Sequence, residues 1–334
     1  MEQVSTAQRA KIIAILSGVL LVLICISILM GRYQQTNIFS LPQFFNDPLA
    51  QRLILELRLP RIIMAVLLGM SLSAAGAVFQ MIFSNPLVEP GFLGVSQGAA
   101  FGTALCIILF NNNPWLVQIF AIGFGLGGLF CSYLVSRNIH FGGWVLRLVL
   151  AGIAVSAFFS AGLGLLKYIA DPLSQLPEIT FWLLGGLWSI TWQKLNTVII
   201  FIVAALILLY LLRWRINLLS LNDETSYSLG ISPQKERTLY LFIATVATAM
   251  VTALCGMVGW VGLIVPHIAR RLVGADARYS ITASMLLGGI FGLACDDLAR
   301  SLLAGEIPIG ILTSLLGAGL FLFLMMTQRL TLAK

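Results

Sequence analysis

Charge is what this sequence has least of. Only 10% of its 334 residues are Asp, Glu, Lys or Arg, and none of these occurs from Pro90 to Ser136 or from Leu239 to Ala269. A soluble domain carries nearer 25%, so a soluble globule is excluded. No Gly-Lys dipeptide occurs, and without one the chain cannot form a phosphate-binding P-loop. The five cysteines (Cys25, Cys106, Cys131, Cys255, Cys295) are scattered through apolar runs, and His140 and His267 share no cluster. That spacing suits neither a metal nor a redox site, so we expect no cofactor and no metal, with the cysteines as small buried hydrophobes. No Ser/His/Asp set and no His-Glu-x-x-His motif is present, so we expect no catalytic residues. Acids are also missing from mid-span and none pair there, whereas proton-coupled carriers usually place Asp, Glu or His at that depth. Either a separate motor supplies the energy or the protein is a passive channel.

What is present is apolar: 59% hydrophobic residues and a mean hydropathy of +0.97. A spanning helix needs about 20 apolar residues. Ten segments qualify or nearly so: 11–30, 62–83, 92–110, 115–135, 148–167, 195–212, 238–254, 256–268, 281–299 and 309–327. The expected fold is an all-α integral membrane protein of about ten spans, with 1–334 as one transmembrane domain. The first segment mimics a signal peptide but is too long and lacks a small-x-small cleavage site, so we read it as the first span. Ten spans put both termini on one side. With that side cytoplasmic, thirteen of the 20 Lys and Arg lie inside, as the positive-inside rule requires. The net charge of +7 follows mostly from this bias and does not argue for nucleic acid.

Four features break the apolar pattern. Asn85-Pro86-Leu87-Val88-Glu89-Pro90-Gly91-Phe92-Leu93-Gly94 cannot continue a helix, and unpaired backbone at membrane depth is tolerated only in protein or beside a water-filled cavity. Small residues recur at helix spacing: Gly69/Ser73/Ala77, Gly123/Gly127, Gly288/Gly292, and Gly152/Ser156/Ser160/Gly164. Each stripe reads as a helix-packing face, and the last alternatively as a pathway lining. Arg58-Leu59-Pro60-Arg61 reads either as interfacial anchors or as a docking point for carboxylates. Arg300 follows Asp296 and Asp297 at ion-pair spacing within one helix. Finally, segment 213–237 mixes Leu with both charge signs and ends at Gly and Pro. It reads as one or two amphipathic helices over about 217–232, or as a solvated loop. Leu218, Leu219, Leu221, Tyr227, Leu229 and Ile231 would suit a docking surface. A weak echo at an offset of 180 (Gly76/Gly256, Pro86/Pro266, Gly94/Gly274) would, if structural, mark an inverted repeat.

Together these residues resemble the permease subunits of the type II ABC importers of iron-siderophores, haem and vitamin B12. The pieces are Arg58-Leu59-Pro60-Arg61, Gly76-Ala77, the 85–94 motif, Leu150-Ala151-Gly152, Gly259-Trp260-Val261-Gly262-Leu263-Ile264-Val265-Pro266-His267-Ile268-Ala269-Arg270, Asp297-Leu298-Ala299-Arg300 and Glu306-Ile307-Pro308-Ile309-Gly310, in family order. The resemblance implies ten helices per subunit and a homodimer in the bacterial inner membrane, with the pathway between subunits. It also implies two ATPase subunits on the cytoplasmic face and a periplasmic binding protein that delivers the substrate. It casts Arg58, Arg61 and Arg300 as docking residues for that protein, Asn85 and Leu87 as part of a cytoplasmic gate, and Leu218 to Gly230 as the coupling helices. Alignment through Leu150-Ala151-Gly152 puts Trp144, Val145 and Leu146 at a second gate element, where the vitamin B12 member carries small hydroxyl residues. Relatives carry ferric siderophores, haem or cobalamin, and some carry molybdate or tungstate.

Overall fold

A computed structural model describes residues 5–33, 36–38, 47–110, 113–219, 223–303 and 305–327. Each of the ten apolar segments contains a helix. The first, α1 (Thr6–Leu29), starts at a capping box in which the Ser5 hydroxyl accepts the backbone N–H of Gln8 and the Gln8 side chain accepts that of Ser5, satisfying two orphan donors. A hairpin of β1 (Met30–Tyr33) and β2 (Thr36–Ile38) follows, then α2 (Pro48–Arg52). A π-helical stretch, Leu53–Arg58, runs without a break into α3 (Leu59–Ile82); Pro60, in the first turn of α3, has no N–H to give, and the Leu55 carbonyl accepts the Trp192 indole N–H at 2.8 Å.

Next come α4 (Val95–Phe110), α5 (Pro114–Arg137), α6 (Trp144–Ile169), α7 (Gln175–Leu184) and α8 (Trp192–Leu219). The chain closes with α9 (Asp223–Ser228), α10 (Pro233–Cys255), α11 (Val261–Val273), α12 (Ala277–Ser301) and α13 (Ile309–Thr327). Among the described residues eight helices are long and apolar enough to cross a membrane; α4 is a shorter apolar helix, and α11 is shorter still.

The core forms around α3, whose spanning stretch is 83% buried, against 11% for α1. Its neighbours are α12, α10, α11 and α8. The Gly69/Ser73/Ala77 stripe explains how they come so close. A Cβ at Gly69 would strike the Gly288 carbonyl of α12, and one at Gly76 the Gly262 carbonyl of α11. Ser73 Oγ instead donates across to the Ser284 carbonyl at 2.7 Å. With apolar lipid outside, such backbone-to-backbone approach is what holds helices together.

Two expectations need correction. In α5 the packing face is Gly125 and Gly128, which meet Val95 and Gly94; Gly123 and Gly127 face open space. The offset-180 echo matches by position in one pair of three: Gly94 and Gly274 each end a helix at positive φ, but Gly76 is mid-helix where Gly256 is a C-cap, and Pro86 lies in a turn where Pro266 is inside α11.

Candidate functional site

Both short helices begin where the chain unwinds inside the bundle. After α3, Ser84 takes a left-handed φ of 47°, and Asn85 closes a turn by accepting the Leu87 N–H at 2.9 Å. A 3-10 turn over Pro90–Leu93 ends at Gly94, φ 80°, and α4 starts. Helix α6 crosses this turn so closely that a Cβ at Gly152 would lie 2.6 Å from the Phe92 carbonyl oxygen. Before α11, Gly256 (φ 71°) and Trp260 (φ 71°) break the chain in the same way. A left-handed tryptophan costs about 1–3 kcal/mol and persists only where its surroundings enforce it. Here its ring meets Phe321 at 6.1 Å, and its backbone carbonyl accepts the N–H groups of Leu263 and Ile264 in the first turn of α11.

Glu89 belongs to the first broken segment, Val258 and Gly259 to the second. Between them lies a cavity of about 240 Å³ lined by residues 89–92, Ser96, Gln97, Ser156, Thr248, Thr252, residues 257–259, Leu72 and Gly262. With three hydroxyls besides Ser96, Gln97 and Glu89 arranged around it, the cavity can hold water at a depth where free backbone would otherwise be intolerable. The small-residue face of α6 divides here. Ser156 lines the cavity, Gly152 is buried under Phe92 and Leu93, and Ser160 and Gly164 lie on the open side.

The gate candidates gather at one end of the bundle. Asn85 and Leu87 are exposed, and the Trp144 ring stacks on Phe83, centroids 6.4 Å apart. That contact ties the start of α6 to the end of α3. Val145 is half-buried beside Trp144, and Leu146 is exposed.

The coupling candidates separate. Leu218 and Leu219 complete the last turn of α8, and Leu219 is buried. The Ser226 hydroxyl donates to the Leu218 carbonyl at 2.8 Å, and Arg237 pairs with Asp223 at 2.9 Å. Tyr227 and Leu229 are exposed, and Gly230 turns the chain at φ 78°. Leu221 lies outside the described residues. The outward part of this segment is therefore α9 and the turn after it.

At the opposite end sits a charge cluster the sequence reading placed at the surface. Arg58 and Arg61 are buried, as are Asp296, at 0% exposure, and Asp297. Arg61 reaches Asp296 at 2.9 Å and Glu306 at 2.8 Å. Arg300 reaches Asp296 at 3.2 Å and also pairs with Asp297. The Ser27 hydroxyl donates to Asp297 at 2.6 Å, and Arg58 donates to the Ile28 carbonyl at 3.2 Å. Three cations face three acids, and the group joins α1, α3 and α12. The pairing of Arg300 with Asp296 and Asp297 that their helix spacing suggested is thus present, but buried and shared with Arg61 and Glu306 rather than lying near the surface. The sequence signal was present, two acids and an arginine at helix spacing inside an apolar run, but the partners lie 235 and 245 residues away.

Comparison with known proteins places this architecture. Residues 19–327 match the model of the FecCD transport family. A Helicobacter pylori protein named as a probable iron chelatin transport system permease is 42% identical over 240 residues, 72% of each chain. The molybdate import system permease protein MolB of Haemophilus influenzae is 38% identical over 293 residues, 84% of this chain and 85% of MolB. A solved inward-facing structure of a metal-chelate type ABC transporter superposes with a TM-score of 0.88 at 39% identity. That match covers 96% of this chain and all of the other. With bundle, broken helices and sequence in agreement, the chain belongs to the FecCD transport family and is the membrane-embedded permease component of an ABC importer.

Proposed function

We propose that this permease, one transmembrane domain over 1–334, carries a metal chelate inward as a homodimer across the bacterial inner membrane, both termini cytoplasmic. A separate ATPase supplies the energy, and the chain itself hydrolyses nothing. The observation that carries this reading is the pair of broken helices around a polar cavity. Its volume of about 240 Å³ falls below the roughly 300–1,000 Å³ that pockets for drug-sized ligands need. A bulky chelate would therefore pass between two subunits, with the hydroxyl-lined face of α6 beside it. Gate closure would fall to Asn85, Leu87 and Trp144 with Val145 and Leu146, and force from the ATPase would enter through Tyr227, Leu229 and Gly230.

Docking of a binding protein on Arg58, Arg61 and Arg300 requires an exchange, because these cations already have partners. Glu306, with its side chain 41% exposed, is the acid that an incoming carboxylate would displace from Arg61.

A second reading, molybdate as cargo, is favoured by the 38% identity to MolB over 84% of this chain. Proteoliposomes holding the permease with its ATPase and binding protein decide between them. Uptake of ⁵⁵Fe-chelate without ⁹⁹Mo-molybdate supports the first reading; the reverse supports the second. Uptake of neither removes both.

A further inference from the structure

Three cations at the end of the bundle that holds Trp144 lack acidic partners. Arg137 ends α5 and Lys235 opens α10; both are exposed, and neither forms an ion pair among the described residues. Arg147, in the first turn of α6, gives one N–H to the Ile139 carbonyl at 3.2 Å, while its buried Nε–H has no partner. All three line one recess of about 820 Å³ that contains no Asp or Glu. The recess continues without a break into an apolar groove of about 170 Å³. Tyr133, Trp144, Thr238 and Phe242 line both, and Leu126, Leu129 and Leu148 line only the groove. Along α5 the order is therefore leucine, tyrosine, serine, arginine, and along α10 lysine, threonine, phenylalanine. Charge, then an aromatic and hydroxyl girdle, then hydrocarbon is the profile of one half of a bilayer. Basic pockets between spanning helices suit anionic head groups.

We propose that this recess and groove form a binding site for one anionic phospholipid, its phosphate held by Arg137, Arg147 and Lys235 and an acyl chain lying against Leu126, Leu129 and Phe242. A purely protein partner would leave the continuous apolar groove unexplained.

Native mass spectrometry of the purified full-length chain tests this, with phosphatidylglycerol titrated against phosphatidylcholine of the same acyl chains. The anionic lipid should be retained preferentially. The Arg137→Gln, Arg147→Gln, Lys235→Gln triple variant should abolish the preference, and the exposed Arg137→Gln alone should reduce it about fivefold, near the 1 kcal/mol expected per surface cation. Thr238→Trp, which keeps every charge but fills the groove, should also lose the lipid. Arg213→Gln, outside the recess, should retain it. Equal retention of both lipids, or a triple variant that still prefers phosphatidylglycerol, overturns the proposal. So does displacement of the lipid by inorganic phosphate with Thr238→Trp unaffected, which marks a free-anion site. Loss of ATPase co-purification in the triple variant with lipid retention unchanged marks a protein-docking surface instead.

Discussion

Arg61 holds two acids in different surroundings, and the structure predicts that they are not equivalent. Asp296 is fully buried, and without Arg61 its remaining cation is Arg300 at 3.2 Å. Removing one member of a buried pair strands the other charge and costs about 3–5 kcal/mol. Glu306 has a partly exposed side chain, and an ion pair open to solvent is worth about 0–1 kcal/mol. Arg61→Met should therefore lower the thermal midpoint of the detergent-purified protein by on the order of 10 °C. Glu306→Gln should move it by a degree or two at most. The Arg61→Met, Asp296→Leu double variant should recover most of the loss, since replacing both partners of a buried pair by apolar groups is often near neutral. A fluorescence-monitored melt of the wild type, these three variants and Asp296→Leu closes the cycle. If Glu306→Gln costs as much as Arg61→Met, or if the double variant is worse than the single, the cluster is not the buried, mutually compensated unit described here.

Gly69→Ala should destabilise by about 1–3 kcal/mol, because its Cβ meets backbone rather than a movable side chain; Gly123→Ala, facing open space, should be silent in the same melt. The Asp276 carboxyl, bonded to Arg278 and Asn217, is held down to about 2. Its folded value lies below the ordinary 3.8, so its stabilisation is present above pH 4 and is lost as pH falls from about 4 to about 2; Asp276→Asn should flatten that part of the acid melt. Glu89→Gln, which keeps a polar group in the cavity lining, should retain ATP-driven uptake, whereas Glu89→Leu should lose it with the protein still folded by circular dichroism. Equal uptake by both variants would remove the polarity of this cavity from the account.

Hydropathy made the ten helices legible, because a spanning segment must satisfy its own backbone wherever it lies. Ends were less legible. Segment 195–212 extends to Leu219 because polar residues there find partners: Arg213 lies over the Tyr210 ring at 3.6 Å, and Asn217 donates to Asp276 and accepts the Ala277 N–H. The hairpin and α7 were missed, since neither has the length or periodicity of a span. Glycine spacing identified the faces of α3 and α12 but chose the wrong face of α5, because a four-residue interval says that two residues share a face and not which neighbour covers it. The broken segment at 85–94 was plain from Pro and Gly, yet its counterpart at 256–260 was read only as a short, Gly-edged span. The charge cluster was least legible, because its burial depends on contacts between segments more than 200 residues apart.

The central claim is that this bundle moves cargo only when a partner's nucleotide hydrolysis works its broken helices. The direct measurement is accumulation of labelled chelate in proteoliposomes containing the permease alone, or the permease with its ATPase and binding protein, with and without ATP. The account predicts concentrative uptake in the complete, ATP-supplied vesicles and in no others. Uphill uptake by the permease alone under an imposed proton or sodium gradient would contradict it.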